Sequence, residues 1–153
     1  MSTHPEEAQA LFRKGYNCAQ SVFAAFCDQT GLPRETALAL SSSFGGGMGR
    51  LREVCGAVSG MFMAAGMLYG RFDPCDSAEK TGHNRRIQEL AARFRAENGS
   101  IVCRELLGVD ADGSPVPTPR GAEFFRKRPC AELVGFAARL LDEYIAEHPP
   151  KKE

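Results

Sequence analysis

The chain contains no tryptophan and only three tyrosines and three histidines. It also has no stretch in which apolar and polar residues alternate over strand length. That last absence excludes a sheet or barrel of half-buried strands, which needs period-two patterning. Net charge is missing too: 19 Lys and Arg balance 19 Asp and Glu. No global field therefore favours nucleic acid or an anionic membrane, and no basic run carries interleaved aromatics. There is no CxxC, CxxCH, HxxxH or HExxH, which removes the contiguous metal and haem motifs. The opening residues MSTHPEEAQA have neither a basic n-region nor an apolar h-region, so no signal peptide is expected. A cytoplasmic setting follows as the expectation, with thiols kept reduced.

Against this background stands one stretch, Phe44 to Gly70, FGGGMGRLREVCGAVSGMFMAAGMLYG. From Val54 to Gly70 the 17 residues carry no ionisable group except Cys55 and Tyr69. The run is too long for one ordinary strand and is rich in Met, Ala and Leu, so it predicts a helix. It reaches only the lower length limit of a membrane span, and the chain offers no second one, so a buried helix of a globular protein is expected. Gly56, Gly60 and Ala64 recur once per turn and form a smooth face. That face suits a packed neighbour or a homodimer equally. Phe62, Met63, Met67 and Leu68 are expected to fill the core.

Local punctuation sets the remaining elements. Thr3 caps a first helix, with Pro5, Glu6 and Glu7 in its first turn. Asn17 caps a second over Cys18–Thr30, stopped by Gly31. Pro33 opens a third to about Ser42, burying Ala37, Leu38 and Leu40. Ser77–Asn98 is amphipathic and ends at Gly99. Ser100 caps a short helix closed by Gly108. Residues 109–120 form the one long loop, and helices from Gly121 to His148 break at Pro129. The expected class is all-α, an irregular bundle of six or seven helices around a buried central helix, about residues 53–69. Residues 1–148 are expected to form one domain, with 149–153 a disordered tail.

Six cysteines are many for a reducing compartment and suggest metal binding or thiol chemistry. Cys18, Cys55, Cys103 and Cys130 each fall in the first turn of a predicted helix. Unpaired amides and the helix dipole favour a thiolate there. Cys27 reads as a small apolar residue inside a helix, and Cys75 lies in a turn. His4 and His148 read as solvated, and His83 lies on a polar part of its helix. Gly45, Gly46, Gly47 and Gly49 predict a loop with positive φ or close backbone approach. The loop fits neither GxxxxGK[ST] nor GxGxxG and follows no strand, so a nucleotide site is not expected. Its better reading is a tight turn whose amides face a thiolate or sulfide. Gly46, Gly47 and Gly56 are the expected backbone contacts. Arg50 and Arg52 would add positive field at the same mouth, with a solvated position as their default. Asp110-Ala111-Asp112-Gly113 lacks the later ligands of a calcium loop.

With Gly15–Gln20 (GYNCAQ), Phe44–Arg50 (FGGGMGR), Cys55–Gly60 (CGAVSG), Cys103–Gly108 (CRELLG) and Pro129-Cys130 in one order, the chain resembles the redox-active protein family named for a C_GCAxxG_C_C pattern. The resemblance implies that Cys18, Cys55, Cys103 and Cys130 are the defining set and that Cys27 and Cys75 are extras. The match is to CGAxxG rather than to the family pattern read literally. A related cysteine-bearing domain in a cytochrome with an iron–sulfur centre implies metal ligation by analogy.

Three functional expectations follow. The four thiolates ligate an iron–sulfur cluster or Zn²⁺, and the protein transfers electrons to a redox partner protein. Alternatively, a metal-free pair, such as Cys103 and Cys130, cycles between dithiol and disulfide. In the third reading the chain is a helical adaptor with incidental cysteines.

Overall fold

The computed structural model describes residues 2–151. Among these there are nine α-helices: α1 (His4–Arg13), α2 (Cys18–Ala25), α3 (Cys27–Thr30), α4 (Arg34–Ser41), α5 (Gly56–Tyr69), α6 (Ser77–Asn98), α7 (Cys103–Leu107), α8 (Ala122–Lys127) and α9 (Cys130–Glu147). A 3-10 turn at Ser42–Phe44 and a glycine turn at Gly45–Met48 lie between α4 and α5. The fold is all-α. The one extended pairing among the described residues is an isolated antiparallel bridge, Val54 to Val102. No described helix is long and apolar enough to cross a membrane.

The helix starts follow from capping chemistry. The Thr3 hydroxyl accepts from the Glu6 amide at 3.3 Å, and Asp76 caps α6 by accepting from Glu79. Asn17 and Gln20 form a reciprocal pair: the Gln20 amide donates to Asn17 Oδ1 at 2.9 Å and the Asn17 amide donates to Gln20 Oε1 at 3.0 Å. Such a box satisfies two of the orphan donors at a helix start. The helices α1, α2, α5 and α9 pack together around Phe12, Phe23, Phe26, Met61 and Leu141, with Leu90 and Phe94 supplied by α6.

Several expectations need correction. Among the described residues the bundle has nine helices rather than six or seven: the second expected helix breaks at Phe26 into α2 and α3, and the short α8 stands apart from α9. The central helix begins at Gly56, not Glu53: residues Arg52 to Cys55 are drawn out to pair with residues 101–104, and Cys55 becomes the cap. Only the first part of α5 is buried. Met61 is the core methionine, whereas Phe62, Met63, Met67 and Leu68 are half-buried because that end of the helix reaches the surface. The smooth Gly56/Gly60 face is occupied by α2 of the same chain. Leu40 is 52% exposed instead of buried. Ser100 does not cap α7; Val102 does, and the Ser100 hydroxyl bonds Glu105 and the Val102 amide. His4 is not solvated: its ring stacks on Phe26 and bonds Asp28 and Asp142. Residues 149–151 are non-helical, and the last two of the expected tail, 152 and 153, lie outside the described residues.

Candidate functional site

Three close approaches bring the helix starts together. A Cβ on Gly60 would lie 2.7 Å from the Ala19 carbonyl oxygen, and one on Gly56 would lie 3.0 Å from Cys18 Cβ. Only side-chain-free positions allow α2 and α5 to meet backbone to backbone, and that contact sets Cys18 beside Cys55. The Val54–Val102 bridge makes the second approach. The Cys55 amide donates to Ile101 O at 2.8 Å and the Cys103 amide to Glu53 O at 2.6 Å, so Cys55 and Cys103 arrive on facing segments. The third is made by Gly47, whose added Cβ would stand 2.6 Å from Cys103 Cβ and 2.8 Å from Arg52 Cα. Cys130 opens α9 directly after Pro129.

The glycine turn is left-handed. Gly46, Gly47, Met48, Gly49 and Arg50 have φ between +60° and +68°, and Arg52 repeats it at +60°. For the non-glycine members this costs roughly 1 kcal/mol or more each. Sequence reasoning anticipated the glycines, Gly45 through its close approach to the Asn17 side chain and the other three through positive φ, and it missed the three side-chain-bearing residues. Their strained backbone turns Arg50 and Arg52 inward. Arg52 is only 5% exposed, and its Nη1 donates to Cys103 Sγ at 3.6 Å. Arg50 donates to Ser114 O at 3.0 Å and to Thr118 Oγ1 at 2.8 Å. Neither is the solvated arginine expected by default.

Cys18, Cys55, Cys103 and Cys130 all line one cavity of about 340 Å³. Gly46 and Gly56 line it as well, whereas Gly47 packs behind Cys103. Arg50, Arg52, Arg120 and Arg128 face it, with Phe12, Phe124 and Leu133 as apolar wall. No Asp or Glu is among the described residues of the lining. Arg120 and Arg128 were not singled out from the sequence. They sit in loop and linker segments whose position over the cysteines is decided by tertiary packing. Arg120 is held by the Phe12 and Tyr16 carbonyls at 2.6 and 2.9 Å. Cys27 is half-buried and Cys75 exposed, and neither lines the cavity.

The helix-start argument predicts four favoured thiolates, and it is overturned at two, by the Cys130 neighbour and burial at Cys18 and by burial at Cys55. The Cys18 thiol hydrogen-bonds to Cys130 and lies in a desolvated position, and both push it well above the ordinary thiol range. Burial pushes Cys55 up to about 12, although the Ala57 and Val58 amides beside its sulfur favour the charged form. Cys130 goes the other way, to about 7. The hydrogen bond from Cys18 is the main cause; burial opposes it, and Arg128, Arg120 and Arg52 add to it. One thiol of the pair is therefore the donor and the other the poised anion.

Among the described residues, no group of three or more His, Cys, Asp or Glu side chains stands arranged to hold a metal ion. Cys103 is turned to Arg52, and Cys18 and Cys55 are held as neutral thiols, so the donor set does not fit a cluster or zinc ion as it stands. No curated protein and no solved structure matches the chain. A family model described as "Putative redox-active protein (C_GCAxxG_C_C)" matches residues 16–144, a span that includes all four cavity cysteines. With that match over most of its length, the chain belongs to the C_GCAxxG_C_C family.

Proposed function

We propose that the protein is a dithiol–disulfide redox protein in which Cys130 attacks and Cys18 resolves. The observation that carries this reading is the meeting of Cys18 and Cys130 at one arginine-lined cavity, where each thiol shifts the other's titration in the opposite direction. The pair differs from the Cys103–Cys130 pair expected from the sequence, because Cys103 is engaged by Arg52.

The Cys130 thiolate attacks one sulfur of a partner disulfide and expels the other as a thiolate, giving a mixed disulfide. Cys18, losing its proton to that leaving thiolate or to solvent, then attacks the Cys130 sulfur and expels the second partner thiol. The protein loses two electrons and two protons and the partner gains them. A thiol of pKa about 7 suits this role near neutral pH, since attack is fastest when the pKa lies near ambient pH. Cys55, held protonated by burial, stays out of the first step. A reducing compartment, such as the cytoplasm, would keep the resting pair as thiols.

Peptide mapping after oxidation by a small disulfide tests the reading. The expected product has lost two hydrogens and links Cys18 to Cys130, and Cys18→Ser accumulates the mixed disulfide on Cys130. Linkage of other pairs, or random pairing, sinks it.

A metal reading has one observation in its favour: four cysteines line one cavity. An iron–sulfur cluster or Zn²⁺ would need Cys18, Cys55, Cys103 and Cys130 to take other rotamers and to deprotonate. The group would supply one-electron transfer in the first case and structural cross-linking in the second. Anaerobic reconstitution with iron and sulfide distinguishes this reading: a stable visible chromophore lost in Cys55→Ser would favour it over the dithiol.

A further inference from the structure

We infer that the cavity selects a small disulfide whose two halves carry carboxylates, an inference that rests on the dithiol reading and names its substrate class. Four guanidinium groups face the cavity, and no carboxylate among the described residues lines it. Only Arg50 meets an acid, Asp112, at 3.5 Å, and that carboxylate is 63% exposed. The other three have no carboxylate partner among the described residues. Arg52 spends its hydrogen bond on the Cys103 sulfur, Arg120 on two backbone carbonyls, and Arg128 lies over the Phe124 ring at 5.3 Å.

Burial sharpens the imbalance. Arg52 is 5% exposed, and a buried guanidinium is costly unless an anion or a full set of acceptors offsets it. The Cys130 thiolate supplies one negative charge in the resting state. It is consumed when the mixed disulfide forms, so the cations then face a neutral sulfur pair unless the bound molecule brings its own charge. Carboxylates on the substrate restore the balance at that point, and arginine forks match their geometry. Size and wall chemistry agree. A cavity of about 340 Å³ lies at the small-molecule end of ligand sites, which run from roughly 300 to 1,000 Å³. Phe12, Phe124 and Leu133 would meet the methylenes between sulfur and carboxylate.

The reaction is the exchange given above: protein dithiol plus R–S–S–R yields protein disulfide plus two R–SH. The inference adds that R is anionic and that selection is electrostatic. The test compares three probes: dithiodiglycolate as the dianion, hydroxyethyl disulfide as the neutral form and cystamine as the dication. Rates of oxidation of the reduced protein are each divided by the rate with free mercaptoethanol, which removes the intrinsic reactivity of the probe. The ratio of anionic to neutral probe is independent of how much Cys130 is ionised. In the wild-type protein it should exceed unity by roughly tenfold or more at low salt, with cystamine slowest, and shrink as salt rises. In Arg128→Gln the ratio should fall several-fold. A wild-type ratio near one, or one that ignores salt, overturns the inference and leaves the dithiol reading standing. Unchanged oxidation of Cys130→Ser by all three probes overturns the dithiol reading itself. The wild-type comparison needs no variant, so poor folding of Arg128→Gln does not remove the test.

Discussion

At the scale of single residues, the contrast between Cys18 and Cys130 organises the site. Both open a helix, yet one is pushed up and the other down, because each stabilises the other in opposite protonation states. Cys18→Ala removes the donor, so the Cys130 thiolate loses its main stabilisation. The pH profile of iodoacetamide alkylation at Cys130 should therefore move from a midpoint near 7 toward the ordinary thiol range. At neutral pH the rate would drop several-fold, because the thiolate is the nucleophile. An unshifted profile would show that arginines alone set the value. The helix-start rule marked from the sequence the four cysteines that line the cavity but missed this division, since desolvation and mutual interaction depend on neighbours far along the chain.

At the scale of elements, the packing of α2 on α5 depends on bare backbone. Gly60→Ala sets a methyl 2.7 Å from the Ala19 carbonyl oxygen, and overpacking of this kind costs about 1–3 kcal/mol. Gly66→Ala, on the same helix with nothing within 4 Å, should instead stabilise by up to about 1 kcal/mol through helix propensity. Urea unfolding of the two variants gives opposite signs if the close approach is real. A second contact is electrostatic. His4 ties α1 to Asp28 of α3 and Asp142 of α9. Burial lowers its pKa, but the hydrogen bonds to Asp28 and Asp142 outweigh that and leave it raised. The protonated ring thus adds stability that is full below the unfolded value of about 6.5 and is lost as pH rises through the higher folded value. His4→Ala should flatten the stability profile across that window, and equal slopes in both proteins would refute the clamp. The caps Thr3 and Asn17 and the amphipathic span of α6 were legible because they are local. The break at Phe26 and the His4 contacts were not, because tertiary partners create them.

At the scale of the whole molecule, oxidation joins two positions that meet at one cavity but lie far apart in the chain. A bond between Cys18 and Cys130 closes a loop over most of the chain, for which the chain-entropy account gives about 4–5 kcal/mol as an upper figure. The oxidised protein should melt higher than the reduced one in calorimetry; equal or lower melting would mean that closure strains the helix starts. The all-α class, the order of the helices and the four-cysteine set could be read from the chain, because periodicity and punctuation carry them. The encircling arginines were not singled out: nothing near Arg120 marks it as a neighbour of a thiol, and Arg128, although two residues before Cys130, carries no pattern that tells which way its side chain turns. One feature of the architecture has a kinetic corollary. The short clasp at Val54 and Val102 rests on a handful of amides, outside the Phe12–Phe23–Phe94 centre. Sub-global fluctuations can release it while the helical interior persists. Electrophile labelling of Cys103 should accordingly proceed on its own clock, faster than global melting and insensitive to mild denaturant, so a partly inactivated sample could still look intact by circular dichroism.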